Sequence, residues 1–456
     1  MAYDYAQLCE EGGFMLTSII KKGNKKKCYL NYKGCVSDLV YVVNKDGKAL
    51  MPCTNQRARV LLKEGKAKVI GRENFTIKLL HGSSGYKQDV VGGMDPGSRK
   101  VGSAAVANGK TVYLSELTVR NDVHSKMEQR AMYRRNRRGR KTRYRKPRFN
   151  NRTRPEGWLT PTLKSKVDSH LREMKYMESI LPISHWKVEM AAFDIHAITN
   201  PEVFGADYQN GDKKNFYNTK AYVLHRDGHT CQHCKGKEKC NQLHVHHKIF
   251  RSNGGTDSPD NLVCLCKVCH DKLHVGKIEL RQTKKSYSKT KHATEVSIIC
   301  AVLLKSGWEF EQTYGYETKL KRESCLKLPK EHFFDAVAIC AEIGEIIEPS
   351  NVVLYKKNVS KGDYQLRKGS RSETIIPVHK LFGMRKFDFI STEKGCGFIF
   401  GKRSTGYFAL KDIFGNKISD SVNVKRNCIR IFARKATLIK KICISLNDKM
   451  DNAEFS

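Results

Sequence analysis

The sequence predicts a multidomain α/β protein, and three observations along the chain lead to this prediction. Apolar segments separated by short turns predict a strand-rich region in the first part of the chain. Two Cys-x-x-Cys pairs in the middle predict a compact metal-binding module. An arginine-rich segment without acids separates these two regions, and a helical segment follows the cysteines. A chain of 456 residues is long enough for several domains with cores of their own.

The net charge of +38 arises from 84 Lys and Arg residues against 46 Asp and Glu residues. Such an excess favours a polyanionic partner, usually nucleic acid, over the alternative of a basic protein that is merely soluble. No apolar segment is long enough for a membrane span, so we expect no membrane partner. The start, MAYDYAQLCEEGG, lacks the pattern of a secretory signal. We therefore expect a cytoplasmic protein whose 16 cysteines are thiols or metal ligands rather than disulfides.

The strand-rich region begins with LVYVVNKDGKALMP, which predicts a hairpin that turns at Lys45–Lys48. QRARVLLKEGKAKV then predicts a short helix that ends near Gly65. Three strands follow, with turns at Asp-Pro-Gly and at Asn108-Gly109, and WKVEMAAFD predicts a fourth strand. PKEHFFDAVAICAEIG predicts a late helix. This order of elements is typical of a ribonuclease-H-like fold.

Acids occupy three of these elements. Asp95 ends a buried strand, Glu189 lies in the fourth strand, and His332 and Asp335 share one face of the late helix. Carboxylates in such a set can hold a pair of divalent ions for phosphodiester cleavage. Singly, each acid has an ordinary alternative, such as an Asx turn at Asp95 or an exposed strand position at Glu189. Their common order favours a catalytic centre.

The cysteine pairs form the second constellation. Cys231, Cys234, Cys266 and Cys269 have the spacing of a structural four-cysteine zinc site, while Cys240 and Cys264 are extra. Between the pairs lies HVHHKIFRSNGGTDSPDNLVCL, and the second pair is followed by further histidines. The alternative is a zinc module that only binds nucleic acid, which has no need for this histidine pattern.

The histidine pattern resembles the HNH nuclease motif, a ββα-metal fold. The resemblance implies that His247 is the general base that takes a proton from water. It implies that His246 binds Mg²⁺ and that Asn261 holds the loop and contacts the metal. The next ligand is then His270, with His274 as an alternative.

The basic segment RAMYRRNRRGRKTRYRKPRFNNRTR contains no acid. Its first half predicts a helix, with Gly139 as a weak point and Pro147 as a stop. Because like charges repel along such a helix, counter-charge from nucleic-acid backbones on several sides would stabilise it. The alternative is a disordered basic tail or a localisation signal. The residues predicted to bind nucleic acid are Arg130, Arg134, Arg135, Arg137, Arg138, Arg140, Lys141, Arg143 and Arg145.

Taken in order, these parts resemble the IscB family of transposon-encoded, RNA-guided DNA endonucleases. In that family an HNH domain is inserted in a split ribonuclease-H-like (RuvC) nuclease, and an Arg-rich bridge helix precedes the HNH domain. KALMPCTNQRARVLLKEGKAKVI resembles the family's PLMP domain, although Ala49 stands where Pro is expected. MDPG resembles the first RuvC segment, NNRTRPEGWLTPT with VEMAAF the second, and HFFDAVAIC the third.

The resemblance implies a domain arrangement. Its bounds are 1–38 for an extension of unknown role, 39–85 for the PLMP-like domain, 86–120 for RuvC segment I, 121–150 for the bridge helix, 151–205 for RuvC segment II, 206–282 for the HNH domain, 283–348 for RuvC segment III, and 349–456 for a small C-terminal β-barrel that contacts guide RNA and reads a flanking motif.

The resemblance also implies a function. The protein would be a monomeric ribonucleoprotein of the prokaryotic cytoplasm, associated with the nucleoid, with a guide (omega) RNA and a double-stranded DNA target as partners. Its cofactors would be Mg²⁺ or Mn²⁺ for catalysis and structural Zn²⁺. HNH would cut the strand paired with the guide, and RuvC the displaced strand. Two alternatives remain open: a guide-free HNH homing or mobile-element endonuclease, and a non-enzymatic RNA-binding protein with decayed centres.

Overall fold

A computed structural model describes most of the chain. The described residues are 39–82, 85–139, 155, 157–190, 219–238, 240–250, 259–280, 288–366, 373–425 and 427–444. The expected N-terminal extension and the basic residues Arg140, Lys141, Arg143 and Arg145 lie outside them. The chain divides into two compact units, Met1–Met190 with Ala301–Ser456, and Ala191–Cys300.

The described residues form more strands than α-helices, and the α-helices all precede β12. In chain order the strands are β1 (Leu39–Val43), β2 (Ala49–Thr54), β3 (Ala67–Gly71), β4 (Thr76–Leu79), β5 (Val90–Asp95), β6 (Lys100–Ala107), β7 (Lys110–Thr118), β8 (His185–Glu189), β9 (Leu243–His247), β10 (Leu262–Cys266), β11 (Glu311–Thr313), β12 (Val352–Asn358), β13 (Tyr364–Leu366), β14 (Glu373–Ile375), β15 (Phe389–Thr392), β16 (Gly395–Lys402), β17 (Tyr407–Lys411), β18 (Lys417–Asn423), β19 (Ile429–Phe432) and β20 (Thr437–Cys443). The α-helices are α1 (Asn55–Lys63), α2 (Val123–Arg138), α3 (Pro161–Ile180), α4 (Thr219–Arg226), α5 (Lys267–His274), α6 (Ser288–Leu304), α7 (Gly315–Leu320) and α8 (His332–Cys340).

The predicted hairpin and short helix at the start of the described chain are confirmed. β1 and β2 pair antiparallel, and the side chain of Asn44 accepts the backbone N–H groups of Asp46 and Lys48 in the turn. α1 begins after Thr54, whose hydroxyl caps the N–H of Arg57. These elements belong to a four-stranded sheet in the order β2-β1-β4-β3, which buries its own apolar cluster.

The centre of the larger unit is a seven-stranded mixed sheet, in the order β11-β8-β5-β6-β7-β12-β20. β5, β6 and β7 form an antiparallel meander, with the predicted turn at Asn108 and Gly109 in positive φ. β8 is parallel to β5, and β11 is parallel to β8. Because Met94 pairs with Val188, the two following acids, Asp95 and Glu189, end adjacent parallel strands at the same edge of the sheet.

The late helix α8 packs against this sheet at close range. Its residues Phe333 to Cys340, apart from Asp335, are buried in the core. The close approach depends on two glycines, because a Cβ at Gly102 would lie 1.8 Å from the carbonyl oxygen of His332, and one at Gly93 would lie 2.4 Å from that of Ala336. The glycines therefore hold the start of α8 beside the end of β5.

The strand pairing does not confirm the β-barrel expected at residues 349–456. β12 and β20 pair with each other, and β12 also pairs with β7, so both extend the central sheet. The strands between them form a two-stranded ribbon and a five-stranded antiparallel sheet in the order β18-β17-β16-β15-β19, without closure among the described strands. A short strand does not reveal its partner, which is why composition suggested a separate barrel.

The smaller unit contains a ββα arrangement. β9 and β10 pair antiparallel, His246 opposite Val263 and His247 opposite Leu262, and α5 follows β10 directly. A small core that includes the cysteines holds the three elements together.

The cysteines and helices test two further expectations. Twelve described cysteines are free, but Cys443 is disulfide-bonded, contrary to the expectation of thiols and ligands only. The cysteine count cannot reveal such a bond, because it depends on which side chains meet in space. Over the residues described above, none of the helices combines the length and apolarity required to cross a bilayer.

Candidate metal centres

The structure brings Asp95, His332 and Asp335 together at one edge of the central sheet. One ligand atom from each lies within 4.8 Å of the others. His332 Nδ1 is 2.6 Å from Asp95 Oδ2, and this contact is the main cause of a raised pKa for His332. Carboxylate oxygens are the donors that hard divalent cations prefer, so this set fits an ion such as Mg²⁺.

Glu189 lies beside this set rather than within the closest group. Burial raises its pKa to about 7, and the charge of Asp95 adds to the rise. A hydrogen bond from Thr318 acts in the opposite direction. Burial and the charge of Asp95 also raise the pKa of Asp335. Acids that raise one another's pKa in this way are stabilised by a cation bound between them.

Arg322 was not predicted from the sequence. It lies in a π-helical turn, Lys321–Cys325, and its buried guanidinium approaches Asp335 with Nε 2.8 Å from Oδ1. The arginine therefore forms an ion pair with Asp335, and its charge lowers the pKa of that acid against the effect of burial. Nothing in the spacing of Arg322 from the acids marks it, because the contact depends on how the turn packs.

The four predicted zinc ligands form one cluster in the smaller unit. Ligand atoms of Cys231, Cys234, Cys266 and Cys269 all lie within 4.8 Å of one another. Burial raises the pKa of Cys266 and Cys269, whereas the backbone N–H of Glu238 contributes most to lowering that of Cys234 to about 6. Four converging thiols fit a tetrahedral structural Zn²⁺ site.

The extra cysteines lie outside the four-cysteine cluster. The backbone N–H of Cys264 bonds Asp227, and the thiol of Cys240 approaches the carbonyl of Gln242. His233, inside the first Cys-x-x-Cys pair, places its Nδ1 3.6 Å from the sulfur of Cys269. This histidine was not singled out in the sequence, although its position between two ligands is a usable signal for an outer contact to the metal.

A second set in the smaller unit consists of three histidines. Ligand nitrogens of His246, His270 and His274 lie within 4.8 Å of one another, and the Nε2 atoms of His270 and His274 are 3.3 Å apart. The Nδ1 atom of His246 is buried and has no hydrogen-bond partner among the described residues. Burial, then the neighbouring imidazoles, lower the pKa of His246. Neutral, converging imidazoles fit a divalent metal ion.

Asn261 has a different position from the one expected for a metal ligand. Its side-chain oxygen accepts the N–H of Ile249 at 2.9 Å, and its side-chain nitrogen donates to the carbonyl of the same residue at 3.0 Å. Both amide atoms are therefore engaged in holding the loop that follows β9. The structure gathers His274 with His246 and His270, so the alternative ligand joins the set beside His270 rather than replacing it.

His247 ends β9 next to this three-histidine cluster. It follows buried His246 directly in the chain, and both residues lie at the end of the strand, before the loop that Asn261 holds. It is half-buried, which leaves the ring partly open to a substrate.

The basic helix α2 buries none of its residues. Arg130, Arg134, Arg135 and Arg137 are exposed, and Arg138 is half-buried. The helix is anchored through Lys126, which pairs with Glu373, and through Tyr133, whose hydroxyl accepts the N–H of Glu373. The structure thus presents a row of guanidinium groups to solvent.

Comparisons with known proteins match two regions of the chain: one that includes the basic helix α2, and one that includes the cysteine and histidine clusters. A family model described as "RRXRR protein" matches residues 40–211, and Arg134–Arg138 carry that pattern. A model described as "HNH endonuclease" matches residues 231–276, which contain the four-cysteine cluster and the three histidines. Together the two matches support an IscB-like HNH nuclease.

A curated relative adds to the second match. The chain is 40% identical over 65 residues to the type IV methyl-directed restriction enzyme EcoKMcrA of Escherichia coli (strain K12). The similarity covers 13% of this chain, and the chain spans 23% of the length of that enzyme. The chain thus contains an HNH endonuclease domain.

Proposed function

We propose that this protein is a metal-dependent DNA endonuclease guided by RNA, with two separate nuclease centres. The observation that carries the nuclease function is the set of His246, His270 and His274 on a ββα unit, next to His247, within the segment that matches HNH endonucleases. A module that only bound zinc would need the cysteines but not these histidines.

The HNH centre supplies the hydrolysis of one strand. A divalent ion held by the three histidines would polarise the scissile phosphate and neutralise its developing charge. His247 accepts a proton from water as the water oxygen attacks phosphorus. The ester bond to the leaving oxygen breaks, and that oxygen takes up a proton, so that atoms and charge balance. Asn261 contributes by fixing the loop beside His247.

The acidic set in the larger unit is proposed as the second centre, of the RuvC type. An antiparallel meander followed by two parallel strands supports a ribonuclease-H-like fold for β5 to β8 and β11. Asp95 and Glu189 extend from adjacent strand ends, and His332 and Asp335 approach from α8. Carboxylates in this arrangement would hold ions that activate water and stabilise the leaving oxygen.

The proposed function includes a guide RNA that directs the nuclease to its target. It is supported by the net charge of +38 and by the exposed arginines of α2. The RRXRR match supports it as well. Arg forks bind phosphate in a bidentate manner, so such a helix can hold RNA and DNA backbones at once. The HNH centre would then cut the guide-paired strand, the acidic centre the displaced strand, and the C-terminal strands would contact RNA and a flanking motif.

A guide-free endonuclease is the second candidate, because the named relative is a restriction enzyme. The acidic set argues against it, since a guide-free HNH enzyme needs no second group of converging acids.

The experiment is to co-express the chain with its flanking genomic region and to sequence the RNA that co-purifies. We expect one abundant structured RNA with a variable end, which then defines a target duplex with each strand labelled. His247→Ala should abolish cutting of the guide-paired strand alone, and Asp95→Ala that of the displaced strand alone. Heterogeneous RNA together with RNA-independent cutting would favour the guide-free enzyme.

A further inference from the structure

Two tyrosines lie beside the acidic centre with their rings exposed. Tyr314 and Tyr316 are 48% and 71% exposed, their ring centroids are 6.1 Å apart, and their planes are within 8° of parallel. Covering an exposed aromatic ring is favourable, because it removes apolar surface from water. Two exposed rings in parallel planes therefore form a surface suited to a planar partner.

The position of the pair follows from the sheet. β11 is parallel to β8, with Thr313 opposite Glu189, and the N–H of Met190 bonds the carbonyl of Thr313. Tyr314 therefore leaves the sheet at the edge where the acids converge. In sheets of this kind ligands bind outside the carboxyl ends of the parallel strands.

Gly315, between the two tyrosines, lies beside the acid Glu189. A Cβ at this glycine would lie 3.3 Å from Oε1 of Glu189, and Thr318, one turn later, hydrogen-bonds the Glu189 side chain. The backbone that carries both rings is thus packed on a proposed metal ligand. Because Thr313 pairs with Glu189 in the sheet, Tyr314 follows directly after the partner of this acid in β11.

Residues of the short helix α7 orient one of the two rings and place a cation near it. The hydroxyl of Tyr316 donates to Glu317 at 2.9 Å, which orients the ring through its edge. Lys319, on the same short helix, is 68% exposed and offers a cation for a backbone phosphate. Aromatic faces with a nearby cation are the surfaces on which single-stranded nucleic acid stacks.

We propose that Tyr314 and Tyr316 form a stacking platform for an unpaired base of the DNA strand that enters the acidic centre. The proposal rests on the proposed function of that centre. A paired base has both faces covered by its neighbours, so the platform selects single-stranded over duplex DNA. A base held here positions its phosphate beside Glu189 without sequence readout.

The test uses the full chain with its co-purified RNA, in EDTA, and a single-stranded oligonucleotide that contains 2-aminopurine as the probe. Stacking on tyrosine quenches this fluorescent base. Replacing both tyrosines by serine should weaken binding about tenfold and remove the quenching, because stacking contributes that much for one base. Replacing both by phenylalanine should leave affinity within about twofold, since the ring and not the hydroxyl makes the stack.

Tyr86→Ser is the matched control, because Tyr86 is 87% exposed and precedes the start of β5, whose other end carries Asp95. It should bind the probe as the unchanged protein does. The proposal is overturned if the double serine variant, with unchanged Tm, binds and quenches like the unchanged protein.

A cleavage assay separates this proposal from the proposed function. With a guided duplex target, the double serine variant should cut the displaced strand about tenfold more slowly and the guide-paired strand at an unchanged rate. If the unchanged protein quenches the probe through the tyrosines but never cuts the displaced strand, the acidic centre fails as a nuclease while the platform stands.

Discussion

At the scale of single residues, the acidic centre holds several acids close together, an arrangement whose charge repulsion destabilises the folded state. Glu189 is largely buried near Asp95 and Asp335, and its pKa is raised to about 7 as a result. Such proximity destabilises the protein without a cation and strengthens cation binding. Arg322 offsets part of the repulsion, because it pairs with Asp335.

Glu189→Gln should therefore stabilise the metal-free protein near neutral pH. Removing one of the repelling charges is expected to contribute about 1 kcal/mol, which is about 2–4 °C in Tm for a domain of this size. Thermal unfolding in EDTA, and again in Mg²⁺, measures the effect. In Mg²⁺ the order should reverse, because the unchanged protein gains more from bound ions. A lower Tm for the variant in EDTA would contradict the expected repulsion.

The three histidines of the smaller unit differ chemically from the acids. Imidazole donors favour ions such as Ni²⁺, Co²⁺ or Zn²⁺ over Mg²⁺, whereas carboxylates favour Mg²⁺. The ion expected from the sequence at this centre was Mg²⁺ or Mn²⁺, held by His246, Asn261 and His270. In the structure, the ligand nitrogens of His246, His270 and His274 lie together, and the side-chain amide of Asn261 bonds the backbone of Ile249.

His274→Ala should weaken binding of Ni²⁺ to the zinc-loaded protein roughly tenfold or more, in the range found when a metal's supporting groups are removed. Calorimetric titration of the full chain gives the affinity. His244→Ala is the matched control, because His244 stacks on His270 at 5.0 Å between ring centroids but is outside the converging set. Equal losses in both variants would exclude a ligand role for His274.

At the scale of elements, the approach of α8 to the sheet decides the acidic centre. His332 and Asp335 reach Asp95 only because β5 and β6 present glycines to the helix. Polar residues at the start of α8 are carried by a helix whose remaining residues are almost all buried. The helix therefore serves both as core and as support for the site.

Gly102→Ala should displace α8, because its Cβ would lie 1.8 Å from the carbonyl oxygen of His332. We expect the free energy of unfolding to fall by about 3 kcal/mol. Cleavage of the displaced DNA strand should slow, while the guide-paired DNA strand, which is assigned to the HNH centre, is cut at the normal rate. Chemical denaturation and strand-specific cleavage measure the two effects. Gly82→Ala is the control, since its Cβ would meet nothing within 4 Å. Unchanged stability in Gly102→Ala would refute the close packing.

The cysteine cluster joins the first loop of the HNH module to β10 and α5. Cys231→Ser should lose the bound zinc and expose the module to proteases, because a structural zinc site contributes directly to folding. Cys264→Ser should keep one zinc per chain, since Cys264 is outside the cluster. Elemental analysis with limited proteolysis distinguishes the two, and zinc loss in both variants would mean that Cys264 is also a ligand.

At the scale of the whole molecule, charge decides which partners can bind. The net charge of +38 attracts nucleic acid of any sequence, and the exposed guanidinium groups of α2 concentrate that attraction on one helix. Because α2 buries none of its residues, its arginines are available to phosphates.

Arg134→Gln should weaken binding equally for related and unrelated sequences. If Arg134 contacts one phosphate, the slope of log K against log salt should become shallower by roughly 0.7–0.9. Binding measured over a range of salt concentrations tests this. Lys110→Gln should have a smaller effect, because Lys110 already pairs with Glu348 at 3.3 Å. A change in target preference for Arg134→Gln would contradict a backbone role.

Local patterns in the sequence determined most of the elements and the types of residue at each centre. The hairpin at Lys45–Lys48, the turn at Asn108-Gly109 and the late helix follow from turn chemistry and periodicity, which act over a few residues. The four cysteines and the pair His246-His247 have spacings that require no knowledge of distant contacts.

Only the tertiary structure decided what meets across long separations in the chain. It joined β12 and β20 to the central sheet and paired Arg322 with Asp335. It also brought His274 beside His246 and His270, and engaged both amide atoms of Asn261 in the loop. The physical reason is that a side chain's type and local period do not specify its distant neighbour. Strand register and helix packing specify it, and these emerge only when the whole chain folds.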